Sequence, residues 1–428
     1  MHSMRIRGMY LRFCIAAALT ACGSARAATF TTIDNCTDDS SPGTLRSVLD
    51  ALTLADNNAV IDVSACATIK LTQGELDAPV SVAILGPLAG TTTIDADHAS
   101  RVIESTGQTA ATTGLTLTNL TLRAGRVILT DHVASGGCVA GGSVTLNTSI
   151  VTDCLAHSDS NDAIGGAINA TSLALYRSRI VGNSADSGAA SFGGGIATNY
   201  FTCTDSTVSL NQASGNPGQG GGVAVYASAH IERCTIDTNA ADDSGGLLSL
   251  GGNAGASATT IIQSTISGNQ ASTLDGGLSA GGPLTILSST VVQNYAPSCA
   301  GVHAQHDLQI DSSIVARNFS IGPGCVDLVA AGTISGTHNL VGVDNGGLPA
   351  YTIIADPRVA PLADHGGFTR THALLAGSPA VDAGGDTSQF VTDQRGDGFA
   401  RQSGAAVDIG AYERQAGDDE VFFGGFGD

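Results

Sequence analysis

The stretch SRIVGNSADSGAASFGGGIATN, residues 178–199, joins a Ser-x-Ile-x-x-Asn phrase to a polar loop, three glycines and an aliphatic residue. The phrase returns as STVSLN (206–211), CTIDTN (234–239), STISGN (264–269), STVVQN (289–294) and SIVARN (313–318), with a weaker first copy in TSIVTD (148–153). Its aliphatic positions are Ile150, Ile180, Val208, Ile236, Ile266, Val291 and Val315, spaced by 30, 28, 28, 30, 25 and 24 residues. Such a period means a solenoid, a propeller or an array.

The pattern inside the repeat chooses among these. An alternating apolar pair precedes each phrase, as in Leu173 and Leu175, Leu284 and Ile286, and Leu308 and Ile310; in the first copy Val144 and Leu146 read one residue out of register. Period-two segments rich in Thr, Val and Ile, bounded by Gly, Asn and Ser, are strands. A propeller blade needs about 40 residues for four strands, more than each unit holds. The fold class expected is all-β: a right-handed, single-stranded parallel β-helix. In it Ile180 and its equivalents form an inward ladder. Asn183 and its equivalents end a strand at a left-handed turn, which Asn tolerates. Glycine pairs such as Gly165-Gly166 and Gly245-Gly246 permit positive φ and close approach of coils.

Five segments follow. Residues 1–28 combine a basic start, an apolar run and small residues, and read as an export signal. Two readings stay open there: cleavage near Ala27 or Ala28, or lipid modification of Cys22 in LTAC (19–22). Residues 29–75 form an N-terminal cap, in which Leu45, Val48, Leu49 and Leu52 recur at helical spacing after Ser-Pro-Gly. Residues 76–345 hold the repeats, 346–414 close the solenoid, and 415–428 are an acidic Phe- and Gly-rich tail. No later stretch approaches the ~18 apolar residues of a membrane span.

Bulk composition narrows function. A net charge of −20 argues against nucleic acid. Eight cysteines beyond the signal (Cys36, Cys66, Cys138, Cys154, Cys203, Cys234, Cys299 and Cys325) suit disulfides in an exported chain. Their connectivity is open; pairing each with its chain neighbour is simplest. None has the spacing of a zinc site.

The ends and repeats carry a resemblance. GTLRSVLDAL (43–52) and the repeats with GGGI and STISGN resemble exported bacterial β-helix proteins, among them polymorphic outer-membrane proteins and adhesins. Thr44-Leu45-Arg46 fits the opening motif, while Ser47-Val48-Leu49 departs from it. DPRVAPLADHGGFTRTHALLAGSPAVDAG (356–384), TDQRGDGFAR (392–401) and DIGAYE (408–413) resemble a choice-of-anchor domain. The resemblance implies a protein at the cell surface or outer membrane, or secreted, that binds a polysaccharide or another surface ligand without catalysis. A monomer is expected.

The alternative is a calcium-dependent polysaccharide lyase of the pectate type, or a glycoside hydrolase. A lyase needs a base beside calcium-holding carboxylates. Arg177, Arg179, Arg233 and Arg317 are the candidate bases, with Asp205, Asp237, Asp242 and Asp243 as carboxylates. They do not cluster at coil spacing, and solvated strand faces explain the arginines. A hydrolase needs carboxylates about 5 to 9.5 Å apart, whereas Asp242 and Asp243 on a strand face opposite ways. His303 and His306 are candidate metal ligands, but at three-residue spacing they too diverge. Calcium is the one cofactor the alternative requires. Asp356, Asp382, Asp393, Arg395, Asp408 and Glu413 are explained by buried hydrogen bonds at the last coil, with anchoring or processing as the rival role.

Overall fold

A computed structural model describes residues 29–106, 113–251, 258–322, 324–385, 390–416 and 418. The signal segment with Cys22, and most of the tail, lie outside these residues.

The chain is a parallel β-solenoid. One coil runs through Ile196–Thr204, Thr207–Ser209, Gln212–Ser214 and Gly218–Gln219, one strand in each of four sheets. Every strand pairs in parallel with its equivalents in the neighbouring coils. In the second sheet Ile69, Ile94, Leu122, Val151, Ile180, Val208, Ile236, Ile266, Val291, Val315 and Val341 stack in register, all buried. The first sheet supplies a matching ladder through Leu146, Leu175, Cys203, Ile231, Ile261, Ile286 and Ile310. Each aliphatic rung contributes about 1.5–3 kcal/mol by leaving water.

The two polar residues of the phrase make ladders of their own. Ser149 donates its backbone N–H to Ser178 Oγ, and Ser178 to Ser206 Oγ; after a break at Cys234, Ser264 and Ser289 repeat the bond. Asn183 donates Nδ2 to Asn211 Oδ1 (2.9 Å), Asn211 to Asn239 (3.0 Å), and so on through Asn269, Asn294 and Asn318. These side chains are buried, and each amide also bonds a backbone carbonyl and N–H, so the core is polar along one line and fully paired there.

Three expectations change. The left-handed residue is not the Asn but the one before it: Gly182, Leu210, Thr238, Gly268, Gln293 and Arg317 have φ of 55–68°. The Asn must stay extended to aim its amide inward. In the first copy the ladder residue is Val151, not Ile150, and Cys154, not Asp153, takes the Asn place; Val144 and Leu146 are in register after all. Parallel pairing also runs from Phe30 to Ile354, past both ends of 76–345.

Glycines act where coils touch. Gly193 has φ +67°, and a Cβ on Gly194 would lie 2.2 Å from the Gln212 carbonyl carbon. At the N-terminal end a helix, Leu45–Ala51, buries Leu45 and Leu49. Its Arg46 is held by Asp38 at 2.7 Å and by the carbonyls of Gly74 and Glu75, so the Thr-Leu-Arg of the motif is structural. Four disulfides join Cys36–Cys66, Cys138–Cys154, Cys203–Cys234 and Cys299–Cys325, the neighbour pairing. They belong to an oxidising environment. Among the described residues no helix is long and apolar enough to cross a membrane.

Residues 356–385 and 390–416 do not lie across the last coil. They fold back along the outside of the second sheet, whose strands Thr235–Asp237, Thr265–Ser267, Thr290–Val292 and Ile314–Ala316 are therefore buried on both faces. Val292, Ile314, Val359, Leu374, Ile409 and Tyr412 form a second apolar core between the layers. Thr and Ser at the outward positions supply the polar contacts: Thr235 Oγ1 donates to the Arg370 carbonyl (2.7 Å), Thr265 Oγ1 to Gln394 Oε1 (2.6 Å), and Thr290 Oγ1 accepts from Ala411 N–H (3.0 Å).

Candidate functional site

With the later strands of the second sheet covered, the surfaces open to a partner are its earlier strands, the first sheet, the third sheet and the loops. The predicted chemical residues are distributed as follows. Arg177, Arg233 and Arg317 are not on strand faces: each occupies a left-handed corner, with φ of 48°, 51° and 55°. Arg233 donates to Asp205 (2.7 Å) and pairs with Glu232. Burial opposes its charge, but Asp205 and Glu232 outweigh that and raise its pKa, the wrong direction for a base. Arg177 lies 4.1 Å over the Phe368 ring. Arg317 clamps Asp356 at 2.7 and 3.0 Å and the Val359 carbonyl. Arg179 alone of the four sits on a strand, Arg179–Val181, with its side chain exposed.

The carboxylates are dispersed and engaged. Asp237 is buried and meets Arg370 at 2.5 Å; burial, opposed by Arg370, raises its pKa. Asp242 accepts from Gly218 N–H and Ser272 Oγ, and Asp243 from Gln219 and Thr273. Both follow the short strand Ala240–Ala241, and both bond to the coil before and the coil after. His303 pairs with Asp275 at 3.0 Å, a contact that raises its pKa despite burial, while His306 is exposed beyond the strand end. Among the described residues no three His, Cys, Asp or Glu side chains gather where they could hold a metal.

In the C-terminal layer all six charged motif residues are hydrogen-bonded, but only four of them are buried. Asp393 and Arg395 pair at 2.7 Å, and the Arg395 guanidinium lies 4.0 Å from the Phe399 ring and 3.8 Å from the Tyr412 ring. Glu413 accepts from the N–H groups of Ser403 and Asp408; burial raises its pKa to about 7. Asp356 and Asp382 are exposed, because they stand at the edge of the layer.

The open outer face of the first sheet holds a feature that the sequence reading missed. Strands Val139–Asn147, Ile168–Tyr176, Ile196–Thr204 and Val223–Glu232 are nine or ten residues long and pair across their length. Thr145, Ala174, Thr202 and His230 form one outward row. Tyr176 and Tyr200 flank it, 42% and 54% exposed. Tyr200 is in register with Ser172, four residues from Tyr176, so the two ring attachment points stand about 13 Å apart along the strands. The signal was parity: Leu175 and Phe201 point inward, so Tyr176 and Tyr200 point out.

No family model and no curated protein matches this chain.

Proposed function

We propose that this is an exported bacterial surface or secreted protein that recognises glycans on the outer face of its first sheet, without cleaving them. The observation that carries the reading is the pair of exposed tyrosines beside an outward row that includes Thr145, Thr202 and His230. Tyrosine rings offer apolar faces to sugar C–H groups and a polar tip to water. Threonine hydroxyls and His230 supply donors and acceptors of fixed position, because each sits on a paired strand. The candidate arginine bases support binding over lyase chemistry: two are clamped by carboxylates and one is stacked on Phe368.

The reading extends to the architecture. The solenoid is right-handed, the helix Leu45–Ala51 caps its first coils, and the C-terminal layer is a choice-of-anchor-type domain. That layer leads to the surface attachment, and the protein acts as a monomer. The test is a glycan panel on the mature chain with Tyr176→Ala and Tyr200→Ala. Loss of binding without loss of thermal stability supports the reading; unchanged binding in the double variant contradicts it.

A further inference from the structure

A cleft of about 720 Å³ lies near the N-terminal end, away from the tyrosine face. Its origin is topological. The third sheet begins with Arg126–Leu129, which pairs with Leu155–Ser158 on one side and, among the described residues, with no strand on the other. Val127 is accordingly half-exposed, whereas its register mates Ala156 and Ala185 are buried. The size is that of a small-ligand site.

The floor is Arg101. Its Nε and Nη2 donate to the carbonyls of Gly136 and Ser135, and its Nη1 meets both Glu75 (2.5 Å) and Glu104 (2.6 Å). One buried guanidinium therefore fixes two carboxylates side by side, with their remaining lone pairs open to the cleft; the Glu75 and Glu104 side chains are 41% and 36% exposed. Arg126 lines the same cleft and has the opposite character. It makes no ion pair among the described residues, and its Nε is sealed from solvent without a hydrogen-bond partner. Its guanidinium charge at the cleft wall is therefore not compensated by a carboxylate of the described residues.

We propose that the cleft binds an anionic sugar unit, with the acid group on Arg126 and the hydroxyl groups on Glu75 and Glu104. A bare inorganic anion fits poorly, because the two glutamates repel it. A neutral sugar leaves the Arg126 fork unused. A ligand with a negative group at one end and hydroxyl donors at the other satisfies both, and exposed Ile128 gives it an apolar wall. The overall charge of −20 is no bar, since ions at physiological strength screen charges beyond about 8 Å. The saccharide part of the inference rests on the glycan-binding reading; the acid part rests on Arg126.

Carboxylate and sulfate ester share this chemistry, so the test uses both. Calorimetric titration of the mature chain with a galacturonate trimer, a sulfated galactose trimer and a neutral galactose trimer gives the comparison. At least one acidic trimer binds about tenfold more tightly than the neutral one, as expected for a charge-assisted fork. Arg126→Gln abolishes that advantage and leaves neutral binding and melting temperature unchanged; Arg126→Lys keeps part of it. The acidic trimer that loses more identifies the acid group. Equal affinity for all three trimers, or an acidic preference that survives Arg126→Gln, overturns the inference. If acidic binding is instead lost in Tyr176→Ala and Tyr200→Ala, the cleft assignment fails and the glycan reading stands. If no trimer and no member of the glycan panel binds, both fall.

Discussion

Asn318 donates its backbone N–H (3.1 Å) and its side-chain amide (2.9 Å) to one oxygen, Oδ1 of Asp327. Asp327 thus stands where the next Asn of the ladder belongs. An Asn there would send its amide to a carbonyl of the preceding coil, as Asn318 does to Val291. Asp327 offers an oxygen instead; its Oδ2 is buried without a well-formed hydrogen bond, the Val343 N–H being a further donor near the carboxyl.

Burial therefore pushes the Asp327 carboxyl upward, against the donors of Asn318. A carboxyl with a raised folded pKa favours the fold at low pH, and that contribution disappears as pH rises from the ordinary 3.8 through the folded value. Asp327→Asn should stabilise the protein by about 1–3 kcal/mol at pH 7 and by little below pH 3.8. Denaturant unfolding at the two pH values measures the difference; equal effects at both would refute the protonation argument.

Mid-ladder, the same geometry makes removal costly. Asn239 accepts from Asn211 and donates to Asn269 and to the Val208 carbonyl. Asn239→Ala strands buried groups on two coils and should cost about 3–5 kcal/mol. Ile266→Asp tests the aliphatic ladder alongside it, and should cost several kcal/mol as an unpaired buried charge. Cooperative unfolding at unchanged midpoint in either variant would contradict the inward assignment.

The Ser ladder breaks at Cys234, whose sulfur is bonded to Cys203. Removing this bridge, which spans 31 residues, costs roughly 3–4 kcal/mol in the chain-entropy account. Cys203→Ala with Cys234→Ser should recover about 1 kcal/mol relative to Cys203→Ala with Cys234→Ala, because a serine hydroxyl at 234 restores the acceptor for Ser206 N–H. Equal midpoints for the two pairs would mean that the ladder bond is worth nothing there.

The C-terminal layer should loosen in acid through His372. Its Nε2 meets Ser267 Oγ at 2.8 Å and its Nδ1 the Ala360 carbonyl. Burial lowers its pKa to about 4 from 6.5. A histidine with a depressed folded pKa stabilises the fold above 6.5, and this is lost as pH falls through 4. Glu413, raised to about 7, acts in the opposite sense, its contribution fading as pH rises from 4.5. His372→Asn isolates the first effect: the stability gap to wild type should narrow between pH 6.5 and 4. A gap constant across that window would remove His372 from the account.

The parts of this fold that were legible from sequence are those that repeat. Ile180, Val208 and Ile236 announced one buried rung per coil, and neighbour pairing, the simplest of the open cysteine connectivities, is the one observed. Features without a period were not legible. Nothing in DPRVAPL marks it as a layer over the second sheet, because the mark is on its partner: Thr235, Thr265 and Thr290 alternate as outward residues do, yet are buried. Asn183 was read as a turn residue because Asn suits left-handed geometry, when its neighbour Gly182 takes the turn and the amide is needed inside. The cleft at Arg126 depends on the third sheet beginning, among the described residues, at Arg126–Leu129, which a repeat makes hard to notice.

The central claim is that the open face of the first sheet binds glycans and does not cut them. The most direct measurement incubates the mature chain with acidic and neutral polysaccharides, with calcium or with chelator, and records binding and new chain ends together. The account predicts calcium-independent binding with no new ends, in which Tyr176→Ala together with Tyr200→Ala abolishes binding of the neutral polysaccharides. Calcium-dependent release of unsaturated ends would contradict it.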